Sequence, residues 1–136
     1  MANETVLVVD DAPMNLKLTG FLLRNEGYQV LTAEDAEEAL DLLHRFHPDL
    51  ILIDIQLPGI DGLELTRRLK RDPLTRDIVV VALTACALQE DELKALAAGC
   101  AGFITKPIDT HTLGSHVRHH LDNRPSGLSA PTGAIA

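Results

Sequence analysis

The sequence predicts an α/β protein with a doubly wound, five-stranded parallel sheet in the order 2-1-3-4-5 and five helices. Most of five short segments are apolar at every position, which is typical of strands buried on both faces of a parallel sheet. Helical patterns separate these segments, and this alternation favours right-handed crossovers with helices on both faces. The strand segments are residues 6–9, 29–31, 50–53, 78–83 and 102–104.

Each helix is justified by its spacing of apolar residues and by residues that start or stop helices. Gly27, Pro48 and Gly99 follow the first, second and fourth helical patterns and are stop signals. Asp109 is the expected N-cap of the fifth helix. The helices are predicted over residues 14–26, 35–47, 61–71, 88–98 and 110–121.

The apolar residues of the helices predict which faces are buried. In the first helix we expect Leu18 and Leu22 to face the core. Leu16, Gly20 and Leu23 form an offset stripe, which would be either a partner surface or ordinary scattered surface residues. The apolar residues expected to anchor the other helices are Ala36, Ala39, Leu40, Leu43, Leu63, Leu65, Leu69, Leu93, Leu96, Leu113, Val117 and Leu121.

Composition and charge exclude several classes of function. The chain has 136 residues, and 20 acidic against 12 basic residues give a net charge of −8. This balance disfavours direct nucleic-acid binding and a basic membrane-surface helix. Two cysteines, Cys86 and Cys100, form no disulfide framework, and no signal peptide or membrane span is predicted. We expect one cytoplasmic domain, residues 1–122, with a flexible tail at 123–136 and no room for an effector domain.

Acidic residues follow two strands that the topology makes neighbours. Asp10 and Asp11 come after the first strand and Asp54 after the third. In such sheets, ligands bind beyond the carboxyl ends of the strands at this switch point. Three carboxylates there would repel one another, and a divalent cation such as Mg²⁺ would remove the repulsion. The alternative is that they are solvated loop acids or helix caps.

Thr84 and Lys106 follow the fourth and fifth strands at the same edge of the sheet. A hydroxyl and an ammonium group opposite a carboxylate-bound metal would suit a dianionic phosphoryl group. Residues 10–15 contain two acids and no glycine, so this loop is unsuited to cradling a preformed nucleotide phosphate.

The segments that carry these residues resemble the receiver domains of bacterial two-component response regulators. The matching segments are VLVVDDAPMN, PDLILIDIQLPGIDG, VVVALTA and GFITKPI, and the resemblance runs from about Thr5 to Leu121. It is nearest to stand-alone receivers of cell-division control and phosphorelays, and it implies a CheY-like, flavodoxin-like fold. The function implied is signalling by protein contact after phosphorylation, with no catalysis beyond the protein's own phosphorylation and dephosphorylation.

The resemblance assigns roles to the acidic residues and to the residue that follows the third strand. Asp54 would accept a phosphoryl group from a histidine kinase or a histidine phosphotransferase. Mg²⁺ would be bound by Asp11, Asp54 and the backbone carbonyl of Gln56, with Asp10 binding directly or through water. The downstream target is a protein that the sequence does not name, and the receiver would be a monomer or a phosphorylation-dependent dimer.

The same resemblance assigns a conformational switch. Lys106 would pair with the phosphoryl oxygens, Thr84 would turn toward them, and Phe103 would swing inward behind Thr84. This motion would reshape the face made by the fourth helix, the fifth strand and the fifth helix. Cys86 would lie near the mouth of the pocket, as an inert thiol or a site of oxidation.

Two charged clusters and two alternative functions remain. Arg67 and Arg68 are expected to pair with Glu64 on a solvated face, and His116 with His120 has a spacing that can hold a metal. One alternative function is an adaptor that works without phosphorylation. The other is a phosphatase with an aspartate nucleophile, which is disfavoured because Gln56 replaces the acid such enzymes need.

Overall fold

The structure is a computed structural model that describes residues 4–57, 61–84, 89–106 and 108–122. These residues form five strands and five helices in alternation. The strands are β1 (Thr5–Val9), β2 (Gln29–Ala33), β3 (Leu50–Asp54), β4 (Val79–Thr84) and β5 (Gly102–Thr105). The helices are α1 (Pro13–Asn25), α2 (Ala36–Leu43), α3 (Gly62–Arg71), α4 (Gln89–Ala98) and α5 (Leu113–Asp122). Cys86 and the predicted tail at 123–136 lie outside the described residues.

The strands pair in parallel in the order β2-β1-β3-β4-β5, which confirms the predicted fold class. Val9 of β1 lies opposite Ala33 of β2 and Ile53 of β3, so these three strands end at the same level. Residues that follow the strands therefore meet at one edge of the sheet.

The sheet separates two apolar clusters, one on each face. On the first face, Leu23 of α1 and Val117 of α5 pack in a cluster with Val8 and Leu52. On the second face, α2, α3 and α4 contribute Ala36, Ala39, Leu65, Leu69 and Ala95. The central strands are buried on both sides, which explains why their sequences lack a polar alternation.

The prediction for the buried face of α1 is wrong for Leu18, and the offset stripe is the buried one. Leu16, Gly20 and Leu23 are buried, whereas Leu18 is exposed and Leu22 is only partly buried. Apolar residues surround most of this helix, so their spacing does not select one inner face. The face that carries Gly20 lies toward β2, where a Cβ atom added to Gly20 would be 3.7 Å from Val30 Cγ1.

The leucines expected to anchor α4 are also on the wrong face. Ala95 and Ala98 are buried, while Leu93 and Leu96 are exposed. The inner side of α4 therefore carries small alanine side chains, and the larger leucines lie on its outer surface.

The fifth helix has the predicted buried stripe but a later start. Leu113, Val117 and Leu121 are buried as expected. The Asp109 carboxylate accepts a hydrogen bond from the His111 N–H at 2.8 Å, so it caps a turn at 110–112 that leads into the helix.

Candidate functional site

Asp10 and Asp54 lie side by side at the carboxyl edge of the sheet because β1 and β3 are neighbours. Asp10 is 1% exposed and Asp54 is 6% exposed, whereas Asp11 is exposed to solvent. One carboxylate oxygen from each of these three residues lies within 4.8 Å of the others. Oxygen ligands at this separation, with one open to water, suit the preference of Mg²⁺.

Backbone N–H groups orient the two buried carboxylates. The Ala12 N–H donates to Asp10 Oδ1 and the Gln56 N–H donates to Asp54 Oδ1, both at 2.9 Å. Each carboxylate is therefore held through one oxygen by the loop that follows it. The second oxygen of each faces Lys106.

Lys106 bridges the two carboxylates from the end of β5. Its Nζ is 2.8 Å from Asp54 Oδ2 and 3.1 Å from Asp10 Oδ2. Burial lowers the pKa of Lys106, but the hydrogen bonds and charges of the two aspartates outweigh burial and raise it overall. The ammonium is therefore charged at neutral pH. Its backbone N–H also donates to the Thr84 carbonyl oxygen at 2.7 Å, which joins the ends of β4 and β5.

The remaining predicted site residues surround this cluster. Thr84 is buried at the carboxyl end of β4, between the ends of β3 and β5. Phe103 lies opposite Ala82 in the register and packs, partly buried, against the apolar cluster of the second face. The Gln56 side chain is exposed. The roles assigned to these residues stay predictions.

Gly62 is a site residue that sequence reasoning missed. A Cβ atom at this position would clash with the backbone carbonyl of Asp54 and would lie 2.8 Å from Ile53 Cγ2. Its N–H donates to the Ile55 carbonyl oxygen at 3.0 Å, and Asp61 caps the helix through the Glu64 N–H at 2.8 Å. The sequence did contain a signal for this contact, namely a glycine at the start of the helix that follows the third strand.

The structure confirms the ion pairs predicted for the arginine cluster of α3, and it places a histidine of the α5 cluster against the sheet. Glu64 pairs with Arg67 at 3.4 Å and with Arg68 at 3.3 Å, as predicted for a solvated face. The His120 ring packs against Gly102 of β5. Within the described ranges, only the three aspartates bring three metal-ligating atoms together.

The family model for the response regulator receiver domain matches residues 6–118. The chain belongs to this family. All the aspartates of the cluster, Thr84 and Lys106 fall inside the matched range. Receiver domains are signalling proteins of two-component systems and bind Mg²⁺ at an acidic pocket, and the receiver described here carries such a pocket.

Curated relatives place the receiver near DivK. The polar-differentiation response regulator DivK of Brucella ovis is 41% identical over 118 residues, which cover 87% of this chain and 96% of that protein. DivK of Brucella anthropi is 40% identical with the same coverage. The receiver is therefore DivK-like, which implies a two-component phosphorelay.

Solved structures show the same fold. A CheY-like receiver protein of Methanospirillum hungatei has a TM-score of 0.82 and 30% identity, covering 90% of this chain and 97% of that one. CheY4 of Vibrio cholerae has a TM-score of 0.83 and 26% identity, covering 88% and 99%. The receiver domain of the Pseudomonas aeruginosa sensor histidine kinase PA1611, with magnesium coordinated in its active-site cleft, has a TM-score of 0.81 and 32% identity, covering 90% and 100%. In the described part of the receiver, no helix is long and apolar enough to cross a membrane.

Proposed function

We propose that the receiver accepts a phosphoryl group onto Asp54 from the phosphohistidine of a histidine kinase or a histidine phosphotransferase. The observation that carries this proposal is the Lys106 ammonium, which bridges Asp54 and Asp10 where three carboxylates converge. In the transfer, an Asp54 carboxylate oxygen forms a bond to phosphorus. The bond from phosphorus to the imidazole nitrogen breaks, and its electron pair stays on the histidine.

The acidic pocket would hold Mg²⁺ through oxygen atoms alone. Asp10, Asp11 and Asp54 supply carboxylate oxygens, and the backbone carbonyl of Gln56 is the proposed fourth protein ligand. A bound Mg²⁺ would neutralise the charge that accumulates between the carboxylates and the phosphoryl oxygens. Magnesium in the active-site cleft of the PA1611 receiver supports this assignment.

Lys106 and Thr84 would both donate hydrogen bonds to the phosphoryl oxygens, Lys106 from a charged group and Thr84 from a neutral one. The Lys106 ammonium already hydrogen-bonds the acceptor carboxylate at 2.8 Å, so a phosphoryl group on Asp54 lies within its reach. The Thr84 side chain offers a neutral hydroxyl donor from the adjacent strand end. Hydrogen bonds from a charged donor such as the Lys106 ammonium are about twice as strong as hydrogen bonds between neutral groups.

The phosphodonor would dock on the outer face of α1, on residues other than those the spacing predicted. Met14 is 78% exposed, Phe21 is 63% exposed, and Leu18 lies between them on the same side of the helix. This apolar face begins directly after the loop that carries Asp10 and Asp11. Phe21→Ser should slow transfer from a phosphohistidine donor and leave phosphorylation by acetyl phosphate unchanged. Phe46→Ser, which removes an exposed phenylalanine elsewhere, is the control.

The signal would leave through the face made by α4, β5 and α5. Leu93 and Leu96 are exposed on α4, and Phe103 packs under this face from β5. Beryllofluoride, a phosphoryl mimic, should change amide exchange in residues 89–106 of the wild type. The change should be lost in Thr84→Ala, and an unaltered exchange pattern in the wild type would contradict this part of the proposal.

Phosphorylation itself is tested by intact mass after incubation with Mg²⁺ and acetyl phosphate. The wild type and Asp41→Asn, an exposed acid of α2, should each gain one phosphoryl group, and Asp54→Asn should gain none. An unphosphorylated wild type would favour the adaptor function. Steady release of phosphate from unrelated monoesters would favour the phosphatase.

A further inference from the structure

A polar cleft of about 480 Å³ lies between the C-terminal end of α1 and one side of α5, from the first turn of that helix to its last residue. It contains Glu26, Tyr28, Arg118 and Asp122, and Tyr28 directly precedes β2. The cleft is therefore at the amino edge of the sheet, opposite the acidic pocket. Strands of five residues at ~3.3 Å per residue separate the two sites by roughly 17 Å.

Carboxylates outnumber arginine and lysine side chains in and beside this cleft, whose lining also includes His119. The Arg118 guanidinium donates two hydrogen bonds to Glu4, at 2.8 and 3.2 Å, and a third to Asp122 at 3.1 Å. Its single positive charge is thus matched against two carboxylates. Glu26 adds a third carboxylate, which forms no ion pair within the described part of the chain and lies against Gly114.

Tyr28 places an unused polar group beside these charges. The residue is 5% exposed, and its hydroxyl forms no hydrogen bond with any residue in the described ranges. Burial raises the pKa of Tyr28, the Arg118 charge opposes this, and Glu4, Asp122 and Glu26 add to it. The Tyr28 ring also lies beside the Arg118 guanidinium, whose central carbon is 6.0 Å from the ring centroid. Buried polar groups without a protein partner are rare in folded proteins, and a hydroxyl that lines a cleft can take its partner from outside the chain.

We propose that this cleft binds an organic cation, with a primary ammonium or a guanidinium group held by Glu26, Asp122 and the Tyr28 hydroxyl. α1 ends beside the cleft, and a helix C-terminus favours positive charge. A metal ion fits less well, because among described residues only the aspartates of the acidic pocket bring three ligand atoms within 4.8 Å. The cation belongs to a free polyamine or to a basic side chain of another protein.

The proposal is tested by calorimetric titration at low ionic strength with Mg²⁺ present, which occupies the acidic pocket if the proposed function is correct. The probes are putrescine, a free diamine, and the peptide acetyl-Gly-Lys-Gly-amide. We expect saturable binding with one site per chain for at least one probe. Glu26→Gln should weaken it about threefold to tenfold, as expected for loss of an ion pair at a partly exposed site. Tyr28→Phe, which removes only the hydroxyl oxygen, should weaken it several-fold.

Two controls separate a built site from general charge attraction. Glu37→Gln removes the same charge from the exposed face of α2 and should leave the affinity unchanged. Asp54→Asn should also leave it unchanged, so the result does not depend on the proposed phosphorylation. Saturation by putrescine identifies a free cation, and saturation by the peptide alone identifies a protein side chain. No saturation by either probe, an equal loss in Glu37→Gln, or an unchanged affinity in Tyr28→Phe would overturn the proposal.

Discussion

Gly62→Ala tests the contact between α3 and the strand that carries Asp54. A Cβ atom on Gly62 would lie 2.8 Å from Ile53 Cγ2 and 2.9 Å from the Asp54 carbonyl carbon, and closer still to the carbonyl oxygen. The Asp54 atoms belong to the backbone and have no alternative rotamer. The helix and the strand must therefore move apart to admit one methyl group, and Asp54 must move with its strand.

The expected size of the effect follows from two opposing contributions. Overpacking of a tight contact costs about 1–3 kcal/mol. Replacing glycine by alanine in a helix returns up to about 1 kcal/mol through backbone entropy and helix propensity. With a mid-range overpacking cost of about 2 kcal/mol, less a return of up to about 1 kcal/mol, we expect Gly62→Ala to lower the free energy of unfolding by about 1–2 kcal/mol.

Gly20→Ala is the matched control, because Gly20 is also a buried glycine in a helix. A Cβ atom added to Gly20 would lie 3.3 Å from a terminal nitrogen of Arg24, its nearest neighbour. This nitrogen ends a flexible side chain, which can turn away. Gly20→Ala should therefore raise the free energy of unfolding by up to about 1 kcal/mol.

Urea unfolding, monitored by circular dichroism, measures the free energy of unfolding of both variants. The comparison requires that this free energy fall with urea concentration at the same slope in both. Phosphorylation by acetyl phosphate should be slower in Gly62→Ala and unchanged in Gly20→Ala. A Gly62→Ala protein as stable as Gly20→Ala would refute the reasoning, because the contact would then be able to accept a methyl group.

Three further predictions concern charged and titratable groups. Lys106→Met leaves the Asp54 carboxylate without its ammonium partner. Without Mg²⁺ it should lower the free energy of unfolding by roughly 1–3 kcal/mol, and with Mg²⁺ by less. Thermal unfolding with and without Mg²⁺ measures this effect, and an unchanged stability would contradict it. Burial, together with two neighbouring histidines, lowers the pKa of His120 below 6.5, so its contribution to stability is complete above that pH and is lost as the pH falls through the folded-state value. Urea unfolding between about pH 7 and pH 5 should therefore show a shallower loss of stability in His120→Gln than in the wild type, and equal slopes would exclude this role. Arg118→Met should cost about 0.5–1 kcal/mol at low salt by removing the ion pair with Glu4, and less in concentrated NaCl; a cost independent of salt would assign the effect to packing.

The buried faces of the helices show where sequence reasoning succeeds. Val117 and its neighbours on α5 were predicted correctly because that helix has a single apolar stripe. In α1 the apolar residues surround the helix, and Leu18 was placed inside although it is exposed. In α4 the small Ala95 lies inside and the larger Leu93 lies outside, although leucine is the more apolar of the two. Hydropathy measures the preference for burial, and it does not measure the space available.

The sequence by itself determined the elements, their order and the convergence of Asp10, Asp11 and Asp54. These follow from local spacing and from the rule that parallel strands present their carboxyl ends at one edge. The tertiary structure alone decided which side-chain atoms make contact. The sequence placed Lys106 at the acidic edge of the sheet, but only the structure shows its hydrogen bond to Asp54, and only the structure shows the bond from Arg118 to Glu4 across 114 positions. Such contacts depend on distances and orientations between packed elements, which arise only when the whole chain has folded.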